Sequence, residues 1–89
     1  MNTAGKETMS RPDERELREL IAPLLDMSPE DISADANLIL LGMSSIAVMR
    51  LVGRWRRGGL PVVFEELAST PTIASWLAHF DKIDDRQSK

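Results

Sequence analysis

Two adjacent serines are the residues of this 89-residue chain whose type and position most clearly suggest chemistry. Ser44 and Ser45 follow Gly42 and open a segment whose apolar residues repeat with helical spacing. A serine hydroxyl at a helix N-terminus can cap an unpaired backbone N–H group. It can also carry a phosphodiester, because the free N–H groups and the helix dipole favour negative charge there. Two serines allow both roles, with Ser44 as the cap and Ser45 exposed.

The composition argues against catalysis by the chain's own side chains. The sequence contains no Cys, no Tyr and a single His. Disulfides, thiolate metal ligands and Cys nucleophiles are therefore excluded, and His79 alone cannot form a site that needs two imidazoles. We expect no catalytic residue, no metal site and no enzymatic activity. No apolar run reaches the roughly 18–20 residues of a membrane span, and no signal-peptide pattern opens the chain, so we expect a cytoplasmic protein without a membrane partner.

Charge is distributed unevenly along the chain. Residues 13–35 contain eight acidic and two basic residues, residues 45–60 contain four arginines and no acidic residue, and residues 65–85 contain five acidic residues and one lysine. A partner could recognise the basic segment, or the opposite charges could neutralise each other within the fold. The net charge of −3 argues against a nucleic-acid partner.

The pattern of apolar residues predicts helices joined by one long connection. The first helix is expected over residues 13–25 and the second from Ser44 or Ser45 to Arg57, where the predicted apolar stripe comprises Val48, Leu51, Val52 and Trp55. A short helix over 64–68 and a last helix over 72–80 follow. The connection, residues 26–44, is long for so small a domain, and we expect Ile32, Leu38 and Leu41 to attach it to the core.

The start of the last helix is predicted from local sequence alone. Thr70 is the candidate N-cap, and Pro71 the candidate first helical residue. The whole pattern predicts an all-α fold, a small bundle of three main helices and one short helix with a long first loop. We expect residues 1–10 to be a disordered leader, 11–82 the domain and 83–89 a flexible tail.

The segment Leu41-Gly42-Met43-Ser44-Ser45-Ile46 resembles the phosphopantetheine attachment motif of carrier proteins, Leu-Gly-x-Asp-Ser-Leu/Ile. The resemblance implies a carrier-protein fold and a 4'-phosphopantetheine arm joined covalently to Ser45, with Gly42, Met43, Ser44 and Ile46 completing the cofactor-binding segment. Ser44 departs from the family, which usually has Asp before the modified serine. That departure removes a negative charge beside the attachment point.

A second resemblance concerns the subtype of carrier. Arg54-Trp55-Arg56-Arg57, followed by Phe64 and Leu67-Ala68, resembles the aryl carrier domains of nonribosomal siderophore assembly lines, which often occur fused to an isochorismatase. This resemblance implies three partners: a phosphopantetheinyl transferase that uses coenzyme A, an adenylating enzyme that loads an aryl acid as a thioester, and a condensation or cyclisation domain. We expect a monomer whose partner-binding residues are Met49, Arg50, Arg54, Phe64 and Ala68.

Two other functions remain open at this point. The chain could be an amino-acyl, peptidyl or other acyl carrier, which would share the attachment site but not the aryl cargo. It could also be a helical interaction module that is never modified, since Ser44 replaces the usual Asp. Phe64 has two interpretations as well, either as part of a docking patch with Met49 and Ala68 or as a core residue.

Overall fold

Four α-helices and one 3-10 turn form the regular structure of the described residues. The computed structural model describes residues 11–87, with side chains to residue 85. The helices are α1 (Glu14–Leu25), α2 (Ser45–Arg57), α3 (Phe64–Ser69) and α4 (Ile73–Gln87), and the 3-10 turn spans Pro29–Asp31. The described residues contain no strand, so the predicted all-α fold is confirmed. The predicted leader, residues 1–10, lies outside the described residues.

α1 begins with a reciprocal capping arrangement. The Asp13 carboxylate accepts a hydrogen bond from the Glu16 backbone N–H at 2.8 Å, and the Glu16 carboxylate accepts one from the Asp13 N–H at 2.9 Å. This capping box satisfies two backbone donors that a helix start would otherwise leave unpaired. Pro23 lies in the last turn, and the helix ends where Asp26 adopts a left-handed conformation with φ of 57°. A cap at each end thus defines α1.

The core forms where α1, α2 and α4 meet. The predicted apolar stripe of α2 is confirmed, because Val48, Leu51, Val52 and Trp55 are all buried. The Trp55 ring packs edge-on against two aromatic rings of α4, with ring centroids 6.0 Å from Trp76 and 5.2 Å from Phe80. Edge-to-face pairs at these separations are a favourable aromatic geometry. The aromatic cluster therefore fixes α2 against α4.

The long connection is held by three buried side chains, one of which differs from the prediction. Ile32 and Leu38 are buried as expected, but Leu41 is 37% exposed, and Met43, only 2% exposed, takes its place in the core. The prediction for Leu41 was wrong because the turn at Gly42 changes which residues of the apolar run face inward. Two hydrogen bonds also attach the connection to the start of α4: Leu38 N–H donates to the Pro71 carbonyl at 2.7 Å, and Ala74 N–H donates to the Ala34 carbonyl at 3.0 Å.

The start of α4 lies further along the chain than predicted. The Thr72 hydroxyl accepts a hydrogen bond from the Ser75 N–H at 3.0 Å and so caps the helix. Thr70 is therefore not the cap, and Pro71 lies outside the helix. The reason is tertiary, since the Pro71 carbonyl is engaged by the long connection.

The end of α4 also differs from the prediction. The helix continues past Phe80 to Gln87, and Ile83, assigned to a flexible tail, is 5% exposed and part of the core. Arg11 supports this extension from the other end of the described chain: its guanidinium pairs with Asp81 at 2.6 Å and Asp84 at 2.9 Å. The ordered helix thus extends beyond the predicted tail boundary at residue 83.

Candidate functional site

The long connection becomes α2 through a tight series of turns at residues 37–44. The Asn37 side chain accepts a hydrogen bond from the Leu40 N–H at 3.1 Å, and Met43 N–H donates to the Leu38 carbonyl at 3.0 Å. Gly42, which directly precedes Met43, has a φ of 119°, a backbone conformation that residues with a side chain rarely adopt. Glycine is therefore required here by the backbone, and it sets the direction in which α2 starts.

Ser44 and Ser45 have different structural positions at this start. Ser44 is the N-cap, and its hydroxyl accepts a hydrogen bond from the Ala47 N–H at 3.1 Å. Ser45 is the first helical residue and is exposed. One hydroxyl is thus part of the helix cap, and the other lies on the surface as an available nucleophile.

The electrostatic environment of Ser45 suits a phosphodiester. The N–H groups of Ser45 and Ile46 lie in the first helical turn, where backbone donors have no intrahelical partner. The positive end of the helix dipole lies at the same place. The sequence contains no Asp or Glu from residue 36 to residue 64, so this segment contributes no repelling carboxylate. The residues present therefore fit a covalently attached phosphate ester.

Exposed apolar residues occur on both sides of Ser45 in the sequence. Leu40 is 83% exposed, Met49 is 55% exposed one helical turn beyond Ser45, and Ile46 is exposed beside it. Met43 differs from the other residues of the predicted cofactor-binding segment, because its side chain is buried in the core. A contact between residue 43 and an attached group would therefore be limited to its backbone. Sequence reasoning missed Leu40, although an apolar run of four residues at a turn indicates that at least one must face solvent.

The predicted partner-binding residues fall into two groups. Met49, Arg50 and Arg54 are exposed on α2, whereas Phe64 and Ala68 on α3 are half-buried. Phe64 packs against the core cluster while part of its ring remains accessible. Its packing on the core is thus confirmed, and its part in a docking patch stays a prediction.

The arginines of the described chain differ in their pairing. Arg11, Arg15 and Arg18, on the α1 side, all form ion pairs with carboxylates. Within residues 11–87, the arginines of α2 form none of the ion pairs found, and all four are exposed: Arg50, Arg54, Arg56 and Arg57. The positive charge of α2 is therefore not neutralised by direct pairing inside this part of the fold.

Two further features concern the part of the chain that the structure describes. No group of three or more His, Cys, Asp or Glu side chains there is arranged to hold a metal ion. Among the helices described above, none is both long enough and apolar enough to cross a membrane.

Comparison with known families identifies the arrangement. Residues 15–80 match the family model described as "Phosphopantetheine attachment site". The chain belongs to this family. It is a carrier domain, and the cofactor of the family is a covalently attached 4'-phosphopantetheine. The matched segment includes the whole junction from Gly42 to Ile46, and carrier domains are themselves non-catalytic.

Several curated proteins contain a segment similar to this carrier domain. Phenyloxazoline synthase MbtB of Mycolicibacterium paratuberculosis is 46% identical over 61 residues, which is 68% of this chain and 5% of that protein. Isochorismatase of Bacillus subtilis is 47% identical over 60 residues, covering 67% of this chain and 19% of that protein. Enterobactin synthase component B of Escherichia coli is 47% identical over 60 residues, covering 67% and 21%. The chain thus spans about a fifth or less of the length of these curated relatives, and no solved structure matched.

Proposed function

We propose that this domain carries an aryl acyl group as a thioester on a 4'-phosphopantetheine arm attached to Ser45. In this proposal an adenylating enzyme loads the arm, and a condensation or cyclisation domain of a siderophore-like nonribosomal synthetase receives the acyl group. The observation that carries the proposal is the exposed Ser45 hydroxyl at the first position of α2, beside a Ser44 hydroxyl that already caps the helix. When bound, the arm supplies the thiol that the chain, which has no Cys, lacks.

The attachment step assigns a defined part to the chain. The Ser45 oxygen attacks the phosphorus of coenzyme A that bears the pantetheine group, forming a phosphodiester and releasing 3',5'-ADP. The hydroxyl proton must leave as the bond forms. His79, the only histidine of the chain, is bonded to Val63 on another part of the fold, so we assign this base to the transferase. The free N–H groups at the start of α2 then favour the negative charge on the product.

The aryl cargo is supported by the similarity to relatives whose names indicate aryl chemistry. The name phenyloxazoline synthase indicates a product with a phenyl group. The isochorismatase and enterobactin synthase relatives contain a segment similar to the same part of this chain. The basic segment Arg54-Trp55-Arg56-Arg57 supports the same subtype through its resemblance to aryl carriers. An amino-acyl or peptidyl cargo is the alternative, and the loading partner distinguishes the two.

The proposed docking surface comprises the exposed residues of α2 and the accessible parts of α3. Met49 offers an adaptable apolar contact beside Ser45. Arg50 and Arg54 add positive charge that the described ion pairs leave unneutralised, and Phe64 and Ala68 extend the surface onto α3. Charges at the edge of an interface affect the association rate and the choice of partner more than the affinity. Such a small mixed surface suits the brief contacts that a carrier makes with successive enzymes.

Intact-mass measurement tests the attachment site. The unmodified chain is incubated with coenzyme A and a broad-specificity phosphopantetheinyl transferase. We expect a gain of one phosphopantetheine group in the wild type and in Ser44→Ala, and no gain in Ser45→Ala. A gain in Ser45→Ala would show that the assignment to Ser45 is wrong. An unmodified wild type would favour the interaction module that carries no cofactor.

Loading by purified adenylating enzymes tests the cargo. The modified domain is offered to an enzyme that activates salicylate or dihydroxybenzoate and, separately, to one that activates an amino acid. We expect a thioester only with the aryl acid. Loading only by the amino-acid enzyme would assign the domain to the amino-acyl or peptidyl carriers.

A further inference from the structure

The start of α3 is held by side chains from both neighbouring helices. Arg56 of α2 donates a hydrogen bond to the Val62 carbonyl at 2.7 Å. His79 of α4 accepts one at Nε2 from the Val63 backbone N–H, at 3.2 Å. Val63 is the N-cap residue of α3 and provides no side-chain cap of its own. A helix of six residues has little stability by itself, so these external bonds help to determine where it begins.

We infer that His79 is a positioning residue for α3, and that it acts as a latch on Val63 which opens when the imidazole is protonated. A neutral imidazole can accept a hydrogen bond at Nε2, and in this tautomer the proton resides on Nδ1. An imidazolium has a proton on both nitrogens and cannot accept from the Val63 N–H. Histidine is the side chain whose charge ordinarily changes between pH 5 and 8. Protonation of His79 therefore opens the latch, and deprotonation closes it.

Three charged groups adjoin the latch and influence its protonation. Glu66 of α3 and Lys82 of α4 line a cleft of about 110 Å³ together with His79 and Val63. Arg56 of α2 contacts the carbonyl of the residue before Val63. The Glu66 carboxylate favours the imidazolium, whereas Lys82 and Arg56 oppose it by like-charge repulsion. Among the described residues, these three groups therefore contribute to the pH at which the latch opens.

The latch bears on docking because α3 carries Phe64 and Ala68. Phe64 directly follows Val63, so release of the Val63 N–H frees the backbone beside it. We expect the open latch to weaken contacts made through α3 and to leave those made through Met49 on α2 unchanged. This step rests on the proposed docking function, whereas the latch itself rests only on the bonds at Val62 and Val63.

Titration of the Val63 amide by NMR tests the latch directly. The chain has one histidine, so the imidazole signal is unambiguous. We expect the Val63 amide shift and the His79 ring shift to change with the same midpoint between pH 5 and 8. We expect exchange of the Val63 amide, corrected for its intrinsic pH dependence, to be about fivefold faster below that midpoint. A Val63 amide that does not respond while the His79 ring titrates would overturn the proposal.

Two substitutions at position 79 separate the open and closed states. His79→Gln retains a side-chain acceptor that does not titrate, so we expect a protected Val63 amide across the whole pH range. His79→Ala removes the acceptor, so we expect an unprotected amide at every pH, with circular dichroism confirming that the bundle is folded. The Val63 titration uses the wild-type chain, and His79→Gln keeps a side chain that can accept the hydrogen bond. The test therefore remains valid even if His79→Ala does not fold. A pH-dependent Val63 amide in His79→Gln would contradict the inference.

Substitutions of the adjoining charges test the electrostatic part. Glu66→Gln removes the group that favours the imidazolium, so the midpoint of the Val63 titration should move to lower pH. Lys82→Gln should move it to higher pH. Midpoints that shift in the same direction, or that do not shift, would overturn this assignment of the neighbours.

Transfer assays connect the latch to docking. The acyl group is transferred from the aryl-loaded wild-type domain, and separately from the aryl-loaded His79→Gln domain, to a condensation domain. The ratio of the wild-type rate to the His79→Gln rate should fall as the pH drops below the midpoint of the Val63 amide titration. A titrating Val63 amide with an unchanged relative rate would refute the coupling to docking while retaining the latch. A domain that is never modified would refute the proposed function, and the NMR result would stand independently.

Discussion

Ser44 and Ser45 have the same side chain, and the fold gives them different roles. The Ser44 hydroxyl is oriented toward the Ala47 N–H and stabilises the helix, whereas the Ser45 hydroxyl is exposed at the next position. Asp, the residue that the family usually has at position 44, is also a favourable N-cap. The departure from the family motif therefore preserves the capping function and changes only the local charge.

The capping role of Ser44 predicts a difference between two neighbouring substitutions. Ser44→Ala should lower the free energy of unfolding by about 1 kcal/mol, because the Ala47 N–H loses its acceptor. Ser44→Asp should retain the stability of the wild type, since its carboxylate can cap and interacts favourably with the helix dipole. Urea denaturation followed by circular dichroism measures both changes.

Ser45→Ala is the matched control for this stability measurement. Ser45 lies at the same end of α2, but its side chain does not cap the helix. Removal of its hydroxyl should therefore change the free energy of unfolding by less than about 0.5 kcal/mol. Equal destabilisation by Ser44→Ala and Ser45→Ala would show that the cap does not distinguish the two residues.

At the scale of the elements, the two sides of α2 differ. Its buried stripe packs against the aromatic residues of α4, and its exposed side presents Met49 and the arginines. Phe64 on α3 packs on the core and remains partly accessible, so the docking role proposed for it would share one side chain with a role in the core. A substitution of Phe64 would therefore alter stability and docking together, whereas Met49 allows docking to be tested alone.

Met49→Asp should slow transfer of the acyl group to a condensation domain by about tenfold, because it places a desolvated charge in an apolar contact. Its free energy of unfolding should remain close to that of the wild type, since Met49 is more than half exposed. Transfer kinetics measured by mass spectrometry, together with urea denaturation, provide the two readouts.

Leu24→Asp provides the matched control for the Met49 substitution. Leu24 is a comparably exposed apolar residue, at 46%, but it lies on α1. Its replacement should leave the transfer rate unchanged. If both substitutions slowed transfer equally, the contact would not be specific to α2.

The helices could largely be predicted from the sequence because their apolar residues recur with a regular period. The buried stripe of α2 was identified fully, and so was the start of the helix at Ser44 and Ser45. The end of α4 was missed although Ile83 continues the spacing of Ile73, Trp76 and Phe80, because residues 83–89 are mostly polar and show no period of their own. Two acidic residues near this end stabilise the helix, since Asp81 and Asp84 pair with Arg11.

The long connection was harder to predict because it has no period. Which residue of its apolar run is buried depends on the turn at Gly42, and Met43 rather than Leu41 enters the core. The cap of α4 depends likewise on tertiary structure, since two threonines flank Pro71 and only the bond from Leu38 to the Pro71 carbonyl decides between them. The candidate serines, by contrast, were recognisable because their roles are local.

At the scale of the molecule, the positive charge of the described residues is paired with carboxylates near α1 and forms no ion pair on α2. The arginines on the α1 side form ion pairs with carboxylates, whereas Arg50 and Arg54 are exposed on the helix that begins at Ser45. Exposed, unpaired charges of one sign steer the approach of oppositely charged surfaces. We therefore expect the enzymes that dock on α2 to present acidic residues around an apolar contact.

The double substitution Arg50→Gln/Arg54→Gln should reduce the association rate with the adenylating enzyme by about threefold to tenfold at low ionic strength. The difference from the wild type should shrink as salt is raised, because exposed charges are screened over about 10 Å at 0.1 M salt. Stopped-flow measurements over a range of salt concentrations test this expectation.

Arg15→Gln is the control for the charge substitution. Arg15 is also exposed but pairs with Glu19 on α1, so its substitution should have a much smaller effect on association. The opposite result is an association rate that falls by the same factor per substituted arginine as in Arg50→Gln/Arg54→Gln. That result would indicate that overall charge, rather than the location of the arginines, determines the association rate.

The two hydrogen bonds between the long connection and the start of α4 have a consequence for the thermodynamics of binding. Leu38 and Ala34 are fixed to residues 71 and 74, so the segment that leads to Ser45 is preorganised before any enzyme arrives. An unattached loop would lose conformational entropy on docking, at about 1–2 kcal/mol for each residue fixed. Here that cost is met during folding, once, and is not repeated at each of the successive encounters that a carrier makes.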